Sequence, residues 1–270
     1  MALSSSLADF PRLSFTAWNF IITMTGNGAK TVVIFGLLLT SAFGEGESES
    51  ISCDNQYFAE LGKPYVIACN ASGEQLDVYW FKGRDTSSFP ILTLEDDTYG
   101  GQEYQKGEYE LTNENALKVI NTQLKHEGNF TVRVYFNDYD FDTTTTELNV
   151  YIRPDPPCPL IDACGSTCTG CQQNVTTSGS LTCNVSGSRP MMDVDWIVTN
   201  QSGVSFTKEE QTHTEMDDRW YTEKTIQYTT PDCGADATFK CIASLSDTSF
   251  GPLLDTYSST VRIKTGNVKY

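Results

Sequence analysis

Four cysteines crowd one stretch, CPLIDACGSTCTGC, as Cys158, Cys164, Cys168 and Cys171. Four thiolates this close can wrap a tetrahedral zinc ion. Their spacing is not that of two CxxC pairs, and the compartment argued below favours oxidation. A local disulfide knot is therefore expected, with Cys233 as a further candidate partner. Asp138, Asp140 and Asp142 alternate in NDYDFD, a spacing that can ligate calcium. No glycine-centred calcium loop accompanies them, so a solvated turn is expected instead. That turn also carries Tyr139 and Phe141, the expected contacts with a partner, because loops and aromatic side chains dominate recognition. His126 and His213 are the only histidines, and neither lies in a nucleophile or metal motif. No catalytic residue, cofactor or metal site is expected, and the chain does not read as an enzyme.

The bulk composition narrows the partners. The 270 residues suggest one to two domains, and a hydrophobic content of 39% is that of a globular chain. A net charge of −17 repels phosphate backbones and anionic lipid, so nucleic acid and bare membrane are excluded as natural partners. Nine cysteines are too many for free thiols, and the odd number leaves one unpaired or bridged to another chain. Lys30, the apolar run 31–39, and small residues at Ala42 and Gly44 have the layout of a secretory signal peptide over 1–44. Met24 alone opens a compact version of it, which makes that residue an alternative start. The apolar run is too short to span a bilayer, and nothing after residue 44 is apolar enough to do so. A secreted or extracellular product with disulfides and without direct membrane insertion is expected, its mature terminus near Glu45.

The elements that must position these residues read as strands. The stretch RPDPP, 153–157, divides the remainder into two halves as a stiff linker. Each half shows short alternating runs broken by turn residues, the pattern of an antiparallel β-sandwich. Alternation assigns inward faces to Tyr65, Ile67 and Cys69, to Leu76, Val78 and Trp80, and to Phe130, Val132, Val134 and Phe136. It leaves Thr131, Arg133 and Tyr135 outside. In the second half Leu181, Cys183 and Val185, then Val194, Trp196 and Val198, repeat the scheme. The phrase CNASGEQLDVYW, opening at Cys69, recurs as CNVSGSRPMMDVDW at Cys183.

A cysteine on one inward strand, a tryptophan shortly after it and a second cysteine on a facing strand resemble the core pin of the immunoglobulin superfamily. The stretch ALKVINTQLKHEGNFTV resembles that family's run from strand E through strand F. The phrases SLTCNVSGSRP and PPCPLIDACG are similar to those of invertebrate deuterostome immunoglobulin-domain proteins. The resemblance implies an all-β chain of two tandem immunoglobulin-like sandwiches, over 50–153 and 158–265. It also implies a bridge from Cys183 to Cys241 beside Trp196. The first half departs from the pattern. Val132 stands in place of the second cysteine, Phe130 in place of the corner tyrosine and His126 in place of an aspartate. The first sandwich should therefore lack both its inter-sheet staple and its corner hydrogen bond. A turn in AELGKP brings Cys53 opposite Cys69; a bridge between neighbouring strands and a buried free thiol facing Val132 both fit the sequence.

The resemblance further implies recognition or adhesion by binding another protein or a glycan, with a role in immunity as one version. A truncated receptor ectodomain and a structural matrix component are the alternatives. Five glycosylation sequons start at Asn70, Asn129, Asn174, Asn184 and Asn200. Asn70, Asn129 and Asn184 each adjoin an inward residue, so their side chains should point outward.

Overall fold

The computed structural model describes residues 49–136, 140–175, 178–230, 234–245, 250 and 256–265. These belong to one compact unit, Ser48–Tyr270. The expected leader, 1–44, lies outside the described residues.

The first sandwich comprises β1 (Ser50–Cys53), β2 (Gln56–Glu60), β3 (Tyr65–Ile67), β4 (Cys69–Ser72), β5 (Asp77–Lys82), β6 (Leu92–Glu95), β7 (Thr98–Gly100), β8 (Tyr109–Leu111), β9 (Leu117–Val119), β10 (Gly128–Tyr135) and β11 (Phe141–Tyr151). A six-stranded sheet runs β2-β11-β10-β5-β6-β7, and β3-β9-β8 with the pair β1-β4 form the other layer. Period-two alternation puts Val78, Trp80, Phe130, Val132, Val134 and Leu148 of one layer against Ile67, Leu117 and Val119 of the other, all nearly fully buried. Leu76, expected inward, is 47% exposed. It precedes β5, where the chain has left the ladder and its amide bonds only to Tyr135 O at 2.8 Å.

The turn in AELGKP does not close a plain hairpin. Between Cys53 and Gln56 the chain changes layer: β1 pairs antiparallel with β4, whereas β2 pairs parallel with β11. The physical reason is edge coverage plus burial. β2 supplies the hydrogen bonds that the outer edge of β11 lacks, and it buries Tyr57 and Ala59. Cys53 and Cys69 remain register partners through β1 and β4.

The second sandwich comprises β12 (Leu160–Ile161), β13 (Cys171–Val175), β14 (Gly179–Ser188), β15 (Met192–Ser202), β16 (Ser205–Lys208), β17 (Thr212–Met216), β18 (Arg219–Thr229), β19 (Asp236–Leu245) and β20 (Tyr257–Thr265). One layer runs β12-β14-β18-β16, with β17 also on β18, and the other runs β13-β20-β19-β15. After β15 the chain crosses to the opposite layer, so this sandwich has no counterpart of β6 and β7. Trp196, Phe239, Cys183 and Cys241 sit at its centre with no exposed surface.

The linker 153–157 is partly absorbed into the second sandwich. Ile152 and Arg189 exchange two backbone hydrogen bonds of 2.8 and 3.0 Å, and Asp155 N donates to Ser186 O at 3.0 Å. Side chains brace the same junction. Arg189 donates to both carboxylate oxygens of Glu127 at 2.9 and 3.1 Å, and Arg153 donates to Glu60 at 3.2 Å. Phe58 meets Phe250 edge to face at 4.6 Å.

Candidate functional site

The outward face of the six-stranded sheet carries an unusual set of side chains. A sheet face turned to water is normally polar. Here strand alternation aligns Tyr79 of β5, Arg133 and Tyr135 of β10 and Phe141 of β11 on that face. Arg133 stands opposite Tyr79 on one side and Thr143 on the other, and Tyr135 stands opposite Asp77 and Phe141. The Arg133 guanidinium lies 5.1 Å from the Phe141 ring centre and 5.7 Å from that of Phe81, within cation–π range. Tyr135 packs on Phe141 at 5.3 Å and on Tyr79 at 5.6 Å.

This row is half-covered and pre-ordered. Phe81 points outward yet is only 3% exposed, whereas Phe141 is 50% exposed. Arg133 donates to Thr86 Oγ1, but its Nε is buried without a partner among the described residues. Burial, aided by the carboxylates of Glu95 and Asp77, pushes the Tyr79 phenol up to about 12, so it stays a protonated donor beside Glu95. Phe89, on the loop between β5 and β6, is 77% exposed. Rigid aromatic groups around a desolvated arginine form the composition that concentrates binding energy at protein interfaces.

Of the two expected contacts, Phe141 opens β11 and joins this row, and Tyr139 lies outside the described residues. Tyr79, Arg133 and Tyr135 were not expected as contacts. The signal was present: alternation already placed Arg133 and Tyr135 outside, and Tyr79 lies between inward Val78 and Trp80. Of the acidic triplet, Asp138 lies outside the described residues, and the Asp142 carboxylate accepts from Ile51 N at 2.9 Å and Thr143 N at 2.7 Å. Among the described residues no group of three or more His, Cys, Asp or Glu could hold a metal ion.

The cysteines pair as Cys53–Cys69, Cys158–Cys168, Cys164–Cys171 and Cys183–Cys241; Cys233 lies outside the described residues. Cys53 and Cys69 are directly opposed in one ladder with a Cα separation of 4.3 Å, so their bridge joins neighbours within a layer. The bridge of Cys183 to Cys241 spans the two layers of the second sandwich. Trp196 lies opposite Cys241 and donates its indole N–H to Lys224 O at 3.0 Å.

The corner before β10 shows a substitute for the missing tyrosine. Lys82 Nζ donates to His126 O at 2.6 Å and to Glu127 O at 2.9 Å, and it lies 4.0 Å from the Phe130 ring centre. Phe130 makes no corner hydrogen bond, and a lysine from β5 instead ties the turn that a tyrosine on β10 would have tied. Burial pulls the Lys82 ammonium down to about 8, with Glu127 opposing the shift. His126, 2% exposed, accepts from Gln123 N at 3.0 Å through Nδ1 and faces Glu108 at 3.5 Å through Nε2.

Asn70, Asn174 and Asn200 are exposed, and Asn129 and Asn184 are half-buried on β10 and β14. Among the described residues no helix is long and apolar enough to cross a membrane.

No protein-family model matches the sequence, and no curated protein matches it. Solved structures do. The chain is similar to bovine butyrophilin at 12% identity and a TM-score of 0.54, covering 80% of this chain and 98% of that one. It also matches domains D1-D2 of Rst at 17% identity and a TM-score of 0.43, covering 80% and 97% of the two chains. Murine CEACAM1b matches at 12% identity and a TM-score of 0.43, covering 81% and 98%. The strand orders are those of immunoglobulin-like sandwiches. The first sandwich adds two strands beyond β5, as variable-type domains do, and the second pairs its layers as constant-type domains do. The chain has the fold of two tandem immunoglobulin-like domains.

Proposed function

We propose that this chain is an extracellular recognition or adhesion protein that binds a protein partner through the outward face of β5, β10 and β11. One observation carries the reading: Arg133, with a buried unpartnered Nε, is set among Phe81, Phe141, Tyr135 and Tyr79 on a face that strand alternation turns toward solvent. Such a face costs solubility and contributes nothing to the core, so burial by a partner is what accounts for it. Four disulfides support an oxidising compartment. The partner supplies an acceptor for Arg133 and an apolar surface for Phe141. Recognition rather than chemistry is the activity, and an immune role is one form of it.

The test is binding of the multimerised, exported chain to cells that display candidate partners. Phe141→Ala and Tyr135→Ala should each cost about 2 kcal/mol, roughly thirtyfold in affinity, with an unchanged circular dichroism spectrum. Met216→Ala, in the second sandwich and 55% exposed, should bind as the parent does. Full binding by the first two variants with loss in the third would move the site to the second sandwich.

A further inference from the structure

Below the aromatic row the same face becomes a polar groove of about 590 Å³. Its rim is one row across three strands. Gln56 of β2, Glu147 of β11 and Asn129 of β10 are register partners, and Arg84 follows β5 beside them. The Thr145 hydroxyl lines the groove and meets the Thr131 hydroxyl at 2.9 Å. Among the described residues, the side chains of Gln56, Arg84, Asn129 and Glu147 make no hydrogen bond or ion pair. An amide, a guanidinium and a carboxylate, all unspent in a wide trough, are the groups that bind sugar hydroxyls and acetamido groups.

Asn129 is also the acceptor of a sequon, and its side chain forms part of that wall. We infer that the groove seats the proximal N-acetylhexosamines of an N-linked glycan carried by Asn129 itself. In the transfer, the Asn129 amide nitrogen attacks the anomeric carbon of a lipid-linked oligosaccharide diphosphate. The C–N bond forms as the C–O bond to the diphosphate breaks; the lipid diphosphate leaves and the amide proton passes to a base of the transferring enzyme. The sequon's hydroxyl decides when this happens. Thr131 is 1% exposed and donates to Gly83 O at 2.7 Å, so the transferase reaches it only before the sandwich closes. The sugar is then trapped over the groove as β10 and β11 pair. Ser72, the corresponding residue of the Asn70 sequon, bonds to Ser50 but lies on an exposed strand end, so burial does not close that site to the transferase.

The inference rests on the export reading, and the test separates the two. The full chain is secreted from N-glycosylating cells and its glycopeptides are mapped by mass spectrometry. The native protein is then treated with an amidase that cleaves the sugar–asparagine bond. Release from Asn129 should be about tenfold slower than from Asn70, the effect of one to two net hydrogen bonds, and equal to it after denaturation. Arg84→Ala with Gln56→Ala should bring the native rate at Asn129 toward that at Asn70 without lowering the thermal midpoint. Equal native rates, or sugar at Asn70 and none at Asn129, would overturn the proposal alone. No sugar at any sequon of the secreted chain would overturn the proposal alone, whereas a chain that never reaches the medium would overturn the export reading and the proposal with it.

Discussion

Lys82 shows how one residue can replace another's role from a different strand. Its ammonium holds two carbonyls of the turn before β10, and its stem covers Phe130. Lys82→Met keeps the stem and loses the donors, leaving two carbonyls short of a partner. It should destabilise the first sandwich by about 1–3 kcal/mol, read from urea unfolding. His126 adds a pH dependence at the same corner. Burial holds its folded pKa below the ordinary imidazole range despite Glu108. The unfolded chain therefore binds more protons within that range, and stability is full above it and lost as pH falls through it. The urea midpoint should fall as pH is lowered from about 7.5 to about 5.5, the range around an unperturbed imidazole, and fall less in His126→Gln. An identical slope in the variant would assign the effect to other groups. The sequence showed that Phe130 lacks the corner hydroxyl. It could not show the replacement, because Lys82 is far away along the chain and meets the turn only through β5–β10 pairing.

At the scale of elements, the bridges divide the two sandwiches. Cys183–Cys241 joins residues 58 apart in sequence and two layers, whereas Cys53–Cys69 joins residues 16 apart within one ladder. Replacing Cys183 and Cys241 with alanine should cost about 2–5 kcal/mol, and replacing Cys53 and Cys69 about 1 kcal/mol less, since closure entropy grows only logarithmically. Calorimetry of the two double variants makes the comparison. The cysteine knot depends on a glycine as well. Gly170 has a φ of +76°, and a Cβ there would stand 2.5 Å from Thr260 O. Gly170→Ala should therefore push β13 off β20 and lower the midpoint of the second sandwich, by about 1–3 kcal/mol. Some hairpins are legible in the sequence. Asp96-Asp97 and Asp217-Asp218 each place two residues at positive φ between paired strands, a conformation aspartate tolerates in tight turns. The layer change between β1 and β2 was not legible, because no local signal distinguishes which sheet edge a short alternating strand will cover.

Across the whole molecule, the junction is built from backbone as much as from charge. The Arg189–Glu127 pair is 26% and 35% exposed, so it contributes about 0–1 kcal/mol to stability. With Arg153–Glu60 it flanks the Ile152–Arg189 backbone pair, and the expected effect of the two pairs is on orientation. Arg189→Ala combined with Arg153→Ala should broaden the distance distribution in small-angle X-ray scattering and leave the thermal midpoint within a degree or so of the parent, as exposed ion pairs predict. An unchanged distribution would assign the orientation to the backbone pair and the Phe58–Phe250 contact alone.

The sequence by itself determined the class of fold and the faces of its strands. Alternation is a local property, and a cysteine, a tryptophan and a second cysteine at fixed places record which strands meet in the second sandwich. It also showed that Val132 leaves Cys69 without an inter-sheet partner. Only the tertiary structure decided that Cys53 bridges Cys69 while the intervening β2 crosses to the other layer. The same holds for the aromatic row: Tyr79 and Phe81 come from β5, far along the chain from the consecutive β10 and β11 that carry Arg133 and Phe141, and only the register between those strands stacks them into one surface. Register depends on how all the inward side chains pack at once, and no short stretch of sequence contains that information.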